Sequence, residues 1–243
     1  MHSRTILYFI IGIFLSGTAK SQQDNSFNFQ SDGANGDFVT VSSDTLIQPT
    51  TGMTLEAWVK PTEDPSTYNM NGIISYLTLD GPAVEAGFAF IYTSGQLRFI
   101  VMTGDNDVMP NIDSWPGIDI PFNGNTWTHI AGTYDGTIVK IFKNGEEEGS
   151  FNAPNNGGSI IWNDINNDFY IAKYQENYFN GSIDEVRLWE IVRTETQIQD
   201  AMNDSITDDP LGLLGYWNFN EGTGTTLTDQ TSNGNNGTIS GAT

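Results

Sequence analysis

The sequence contains no cysteine. This excludes disulfide staples, thiol catalysis and Cys-ligated zinc, and leaves stability to a packed core and to bound ions. Basic residues are scarce: Lys and Arg total 9 against 30 Asp and Glu, for a formal charge of −21. Such a chain repels nucleic acid and anionic lipid and favours hard cations, although most of these carboxylates serve as a solubility surface. Only two histidines occur, His2 and His129. His129 sits on the strand-like run "TWTHIAGTYDG" with no serine motif beside it, so no Ser-His-Asp arrangement can be argued. No phosphate-cradling glycine loop of the P-loop form is present. Long apolar runs are missing too, apart from the ten residues "ILYFIIGIFL" (Ile6 to Leu15). Ten residues cannot span about 30 Å of hydrocarbon. Arg4 before the run and "SGTAKS" after it give a signal-peptide layout, with residues 1–21 as leader and cleavage after Ser21. Arg4 and Lys20 leave with it. The expected product is secreted or at the cell surface, with no membrane insertion after leader removal.

What is present is short apolar runs of period two, separated by Gly, Asn, Asp, Ser and Thr. "DFVTV", "MTLEAWV", "GIISYLTL", "GFAFIYT", "QLRFIVM", "TIVKIFK" and "DFYIAK" are examples. This pattern predicts an all-β fold, a two-sheet antiparallel sandwich. "KNGE" (Lys143 to Glu146) marks a tight hairpin. A single helix is expected near residues 194–203: Thr194 caps "TETQIQDAMN", Gln197 completes a capping box, and Ile198 with Ala201 or Met202 faces the sandwich. Two loops exceed what a sandwich needs, 62–71 and 103–125. The second carries Trp115 among Asp105, Asp107, Asp113 and Asp119, an aromatic among acids and amides that could stack on a sugar or simply decorate the surface. Tyr68, Tyr92 and Trp162 are the other aromatic candidates for ligand contact. Trp58 shares a strand face with Glu56, which marks either a groove or inter-sheet packing.

Four stretches in order, "TLEAWVKP", "TWTHIAGTYDGTIVKIFKNGEEEG", "GSIDEVRLWEIVRTETQIQ" and "GYWNFNEGTGTTLTDQTSNGNNGTI", resemble the laminin-G-like jelly-roll family of the concanavalin A-like lectin/glucanase superfamily. The resemblance implies a jelly roll over residues 22–211, binding rather than catalysis in most members, and often one structural calcium ion. In that family the last motif normally precedes "FNFQSDGANGDFVTV". Here it forms a C-terminal segment, residues 212–243, that either returns to fill the front position or begins a second copy. The first option avoids an unpaired aromatic strand.

In "GSIDEVRLW", period two places Asp184 with Ser182, Val186 and Leu188, and Ile183 with Glu185, Arg187 and Trp189. An ionised carboxylate at the rim of a core costs several kcal/mol unless it is paired. Either a Ca2+ ion or the N–H groups of a neighbouring turn would satisfy it. The oxygens for such an ion are expected in "QSDGANGDF", from Asp32, Asn35, Gly36 and Asp37. The resemblance implies that a strand aspartate of the "IDEV" type acts with an N-terminal loop, which points to Asp184 and Asp32. Glu185 and Arg187 are expected as a solvent pair worth about 0–1 kcal/mol. The paired carboxylates of sugar-hydrolase relatives, spaced Glu-x-Asp-x-x-Glu, do not occur, and Glu146, Glu147 and Glu148 follow a hairpin turn without that spacing. The functional expectation is a binding module for a glycan or surface glycoprotein. The alternatives are a carbohydrate-active enzyme of the same fold and a structural spacer of an adhesin.

Overall fold

The computed structural model describes residues 26–31, 35–42, 47–62, 70–80, 84–103, 117–122, 124–153, 157–162 and 168–241. The leader expected at 1–21, and the candidates Asp32, Tyr68 and Trp115, lie outside them.

Two antiparallel sheets face each other among the described residues. The first runs in the order β1 (Phe27–Phe29), β14 (Gly181–Trp189), β3 (Met53–Pro61), β8 (Thr128–Tyr134), β9 (Ile138–Lys143) and β10 (Glu146–Asn152). The strand β15 (Leu213–Trp217) also pairs with β14. The second sheet runs β16 (Thr226–Leu227), β17 (Gly237–Ser240), β2 (Phe38–Val41), β11 (Phe169–Ile171), β4 (Asn71–Asp80), β5 (Val84–Thr93), β6 (Gln96–Val101) and β7 (Gly117–Pro121). A small hairpin, β12 (Lys173–Tyr174) and β13 (Asn177–Tyr178), leans on β4. This is a sandwich of the jelly-roll kind.

Alternation makes the core. Val39 and Val41 of β2, Phe88, Phe90 and Tyr92 of β5, Phe169 and Ile171 of β11, and Met53, Leu55, Ala57 and Val59 of β3 are buried between the sheets. The Asn144–Gly145 turn joins β9 to β10 with φ of 51° and 82°. Those left-handed values suit Asn-Gly and match the strand twist.

The only helix among the described residues is α1 (Glu195–Ala201), and its capping box is formed as expected between Thr194 and Gln197. Ile198 is buried against Ala131 and Phe142, which docks α1 on the outside of the first sheet.

The C-terminal segment packs within the same sandwich. β15 extends the edge of β14, and β17 pairs with β2 along Gly237–Ser240. Trp217 is fully buried, stacks on Phe169 at 5.2 Å, and donates its Nε1–H to Asn235 O at 2.9 Å. Phe219 packs edge-on against Phe27 and Phe29.

One local feature departs from strict alternation. Asp184 pairs with Trp58 and Arg187 with Glu56, so β14 carries one extra residue between those rungs. This is a bulge, and Glu185 occupies it with a φ of +53°. The extra residue resets the period. Ile183, Val186 and Leu188 all face the core, while Asp184 turns outward with Trp58. The expected grouping of Asp184 with Val186 and Leu188 is therefore corrected.

Candidate ligand-binding site

Two regions concentrate polar side chains. The first is the outer face of the first sheet, beneath α1. Glu56 is fully buried there. Its Oε1 accepts from Trp189 Nε1 at 2.8 Å and from Arg193 Nη1 at 2.7 Å, and His129 Nε2 lies 3.5 Å from Oε2. Burial alone would raise the Glu56 carboxyl, but His129, Arg187 and Arg193 outweigh it and bring the pKa down to about 2. Arg187 donates to Glu185 Oε2, to Ala201 O and to Asp204 O, and Tyr216 donates to the same Glu185 oxygen at 2.7 Å. Trp58 Nε1 donates to Met202 O at 2.7 Å. Arg193 also lies over the Trp189 ring at 4.4 Å.

These bonds lash residues 190–206 onto the sheet. The Glu185–Arg187 pair expected in solvent is instead buried, because that strap covers it. A carboxylate network sealed in this way holds structure and offers no substrate access. Trp58 and Glu56 accordingly mark helix docking and not a groove.

Asp184 sits at the end of this network, 5 % exposed. Its Oδ1 accepts the Glu185 N–H at 2.8 Å. Burial, reinforced by the neighbouring Glu185 charge, pushes its carboxyl up to about 7.

The second region is an open cleft of about 340 Å³ lined by Gln30, Ser31, Asn35, Gly36 and Asp37. Its base is a tightly closed turn. Asp37 N–H donates to Gln30 O at 2.8 Å, Gln30 N–H donates to Asp37 Oδ2 at 3.0 Å, and Ser31 bridges Gly36. Ser31 N–H is held by Asn180 Oδ1 at 3.2 Å, which ties the turn to the start of β14. Gly36 leans on Tyr178: a Cβ there would lie 2.4 Å from the ring, so only glycine fits.

Beyond Tyr178 lies an aromatic patch on the outer face of the second sheet. Phe38 packs at 5.9 Å from Tyr178 and 6.2 Å from Tyr170. Phe38 and Tyr170 are half-buried, each following the outward beat of its strand. Lys173 Nζ sits over all three rings, 4.5 Å from Phe38 and 5.4 Å from both Tyr170 and Tyr178. The backbone that presents Lys173 and Tyr178 has left-handed residues at Ala172 (φ +67°) and Gln175 (φ +51°). Non-glycine residues in that region cost about 1 kcal/mol or more and persist where surrounding structure enforces them.

The expected site residues divide between these regions. Asn35, Gly36 and Asp37 come together in the cleft. Asp184 does not join them. β1 pairs Phe29 with Gly181 and Phe27 with Ile183, so Asp184 lies one rung past Phe27 while Gln30 lies one past Gly181. Four rungs separate the two places, about 13 Å at strand rise. One ion with oxygen ligands at about 2.3–2.6 Å cannot reach both. Among the described residues, no group of three or more His, Asp or Glu side chains could hold a metal.

One aromatic candidate, Tyr92, is corrected. Tyr92 is 1 % exposed, inside the core against Phe122. Trp162 packs against Tyr76 and Phe88 and donates Nε1–H to Pro49 O at 2.9 Å. Tyr92 points between the sheets and offers no ligand surface, while Trp162 is partly buried against the core. Phe38, Tyr170, Lys173 and Tyr178 were missed, although "DFYIAK" does carry the signal: if Phe169 and Ile171 are core, Tyr170 faces out.

Comparisons agree on the fold. A laminin G family model, described as the concanavalin A-like lectin/glucanases superfamily, matches residues 20–199. No curated protein sequence matches the chain. A candidate carbohydrate-binding protein from Bacteroides ovatus ATCC 8483 superposes with a TM-score of 0.65 at 20 % identity, covering 90 % of this chain and 58 % of that one. The receptor-binding domain of botulinum neurotoxin mosaic serotype C/D gives 0.52 at 14 % identity, covering 76 % and 43 %. The binding domain of Paraclostridial Mosquitocidal Protein 1 gives 0.50 at 12 %, covering 75 % and 47 %. The chain thus spans roughly half the length of these structures.

Proposed function

The chain belongs to the concanavalin A-like lectin/glucanase superfamily, and from that premise we propose that it is an extracellular carbohydrate-binding module whose ligand lies on the Gln30–Asp37 cleft and the Phe38–Tyr170–Tyr178 patch. The observation that carries this reading is the junction of the two surfaces through the Gly36–Tyr178 contact. Amide, hydroxyl and carboxylate groups for sugar hydroxyls adjoin partly exposed rings for the apolar face of a pyranose. Sites for small polar ligands combine these elements, apolar platforms with a few placed polar groups. The neighbours named for carbohydrate and receptor binding favour the same class.

Binding is favoured over hydrolysis by the cleft itself. Hydrolysis needs two carboxyl groups facing one bond, about 5–9.5 Å apart. Among the described residues lining the cleft Asp37 alone carries a carboxylate, and its Oδ2 already accepts the Gln30 N–H.

For the calcium ion implied by the family resemblance, the turn offers the Asp37 carboxylate, the Asn35 amide oxygen and the Gly36 carbonyl. That all-oxygen set suits a hard cation. An ion held there would stiffen the wall against which Tyr178 packs.

The test is retention on a glycan array, followed by calorimetry on the best ligand. Tyr170→Ala is expected to weaken binding about tenfold, a loss of about 1.4 kcal/mol, with an unchanged melting profile. An array with no retained glycan, or a Tyr170→Ala protein that binds as the parent does, would overturn the assignment. Release of new reducing ends from a retained glycan would overturn the non-catalytic reading.

A further inference from the structure

Lys173 stands out in a chain this acidic. Arg98, Lys140, Lys143, Arg187 and Arg193 each lie within ion-pair distance of a carboxylate. Among the described residues Lys173, like Lys60, has no such partner, although the sequence holds 30 acidic residues for few cations. Its ammonium instead rests on three aromatic faces, partly desolvated and without a counter-ion.

Among the described residues, the acids beside the three rings in sequence are engaged elsewhere. Asp168 hydrogen-bonds the Tyr170 hydroxyl. Glu176 Oε2 accepts from the Tyr178 hydroxyl at 3.4 Å. Asp37 Oδ2 holds the Gln30 N–H. Each carboxylate is turned to a neutral donor, and the one ammonium remains at the centre of the rings. Ring faces attract a cation, and they also present a flat apolar surface on which a sugar stacks.

We propose that this patch selects glycans that carry a carboxylate, namely uronic acid residues. The pyranose stacks on the exposed Tyr170 and Phe38 faces, its carboxylate meets Lys173 Nζ, and adjoining hydroxyls reach Gln30, Ser31 and Asn35. This rests on the carbohydrate-binding reading above and adds the charge of the ligand to it.

Whole-molecule charge limits the class further. A formal charge of −21 repels dense polyanions over the Debye length, about 8 Å at physiological salt. Selection through one lysine at contact range therefore suits glycans with one carboxylate per residue, and disfavours polysulfated chains.

The test uses an array carrying galacturonate, mannuronate and glucuronate oligosaccharides, each beside its carboxyl-reduced form, with heparin as the polysulfated probe. EDTA is present so that ions do not bridge carboxylates. The intact protein is expected to bind at least one uronate oligosaccharide about tenfold more tightly than its reduced counterpart, and more tightly than heparin. Lys173→Met keeps the apolar stem over the rings and removes the charge. It is expected to bring acidic and reduced forms within about twofold of each other. Tyr170→Ala is expected to weaken both.

Equal binding of acidic and reduced forms by the parent protein, or a preference that survives Lys173→Met, overturns the inference and leaves carbohydrate binding standing. Retention of heparin above every uronate overturns the single-lysine selection. An array on which nothing is retained removes both readings.

Discussion

Replacing Asp184 by asparagine tests the outward turn of β14 quantitatively. The carboxyl is 5 % exposed, its ordinary pKa is 3.8, and its folded value rises to about 7, chiefly through burial with the Glu185 charge adding to it. The folded state thus binds the Asp184 proton more tightly than the unfolded chain. Between the two values the native protein holds more protons, so stability falls as pH rises. A shift of roughly three units corresponds to about 4 kcal/mol of stability present at pH 4 and lost by pH 8. Asparagine has the same shape, and its Oδ1 accepts the Glu185 N–H without a charge to desolvate.

Asp184→Asn should therefore leave stability near pH 4 almost unchanged and raise it at pH 8 by up to about 4 kcal/mol. For a protein of this size that is a gain of about 8–16 °C in melting temperature. The assay is urea and thermal unfolding of parent and variant from pH 4 to 9, in EDTA. A variant less stable than the parent at pH 8 would refute the reasoning, because it would mean that the surroundings of ionised Asp184 offset more than its burial costs. If that deficit appeared only when calcium was added, the ion would be acting on Asp184, and the 13 Å separation argued from strand register would be wrong.

Three further outcomes are expected. Glu56→Gln should destabilise by about 3–5 kcal/mol near neutral pH, because Arg193, Arg187 and His129 lose a buried counter-charge. The Glu56 carboxyl ordinarily titrates at 4.5 and is brought down to about 2, so its contribution exists above 4.5 and fades toward 2; the gap between parent and variant should close in that window of a pH-resolved urea series. Ile198→Ala should cost about 2–5 kcal/mol by undocking α1 from Ala131 and Phe142, read as a lower urea midpoint with unchanged slope. Calcium at 100 times its dissociation constant should add about 2.7 kcal/mol if the 35–37 turn holds an ion, and Asp37→Asn should remove that increment; identical melting in calcium and EDTA would dismiss the ion.

Much of the architecture could be read from residue order. Alternation in "MTLEAWV" and "GFAFIYT" marks strands whatever lies around them, because side chains on a strand point alternately to its two faces. Thr194 with Gln197, and Asn144 with Gly145, carry their geometry in four residues or fewer. What alternation does not say is which face is inside, and Tyr92 was misjudged for that reason. Nor does it announce a bulge. Glu185 in a left-handed conformation is held by Arg187 two residues on, by Tyr216 on another strand and by the strap above it. The site was half legible: the turn residues Asn35, Gly36 and Asp37 were named for an ion, while the rings beside them come from β2, β11 and β13, which only folding brings together.

β15 and β1 occupy one edge of β14 in succession, both antiparallel to it, with Trp217 against Val186 and Phe27 against Ile183. The end of β15 therefore points toward the start of β1, and Phe219 closes the gap by packing on Phe27 and Phe29. A direct fusion of Phe219 to Phe27 would keep this edge of β14 but delete β16 and β17, and with them the rungs that β17 makes to β2. The same edge would accept an equivalent tail supplied by an adjoining repeat, so modules of this design can be strung in series with donor and acceptor segments shared between neighbours.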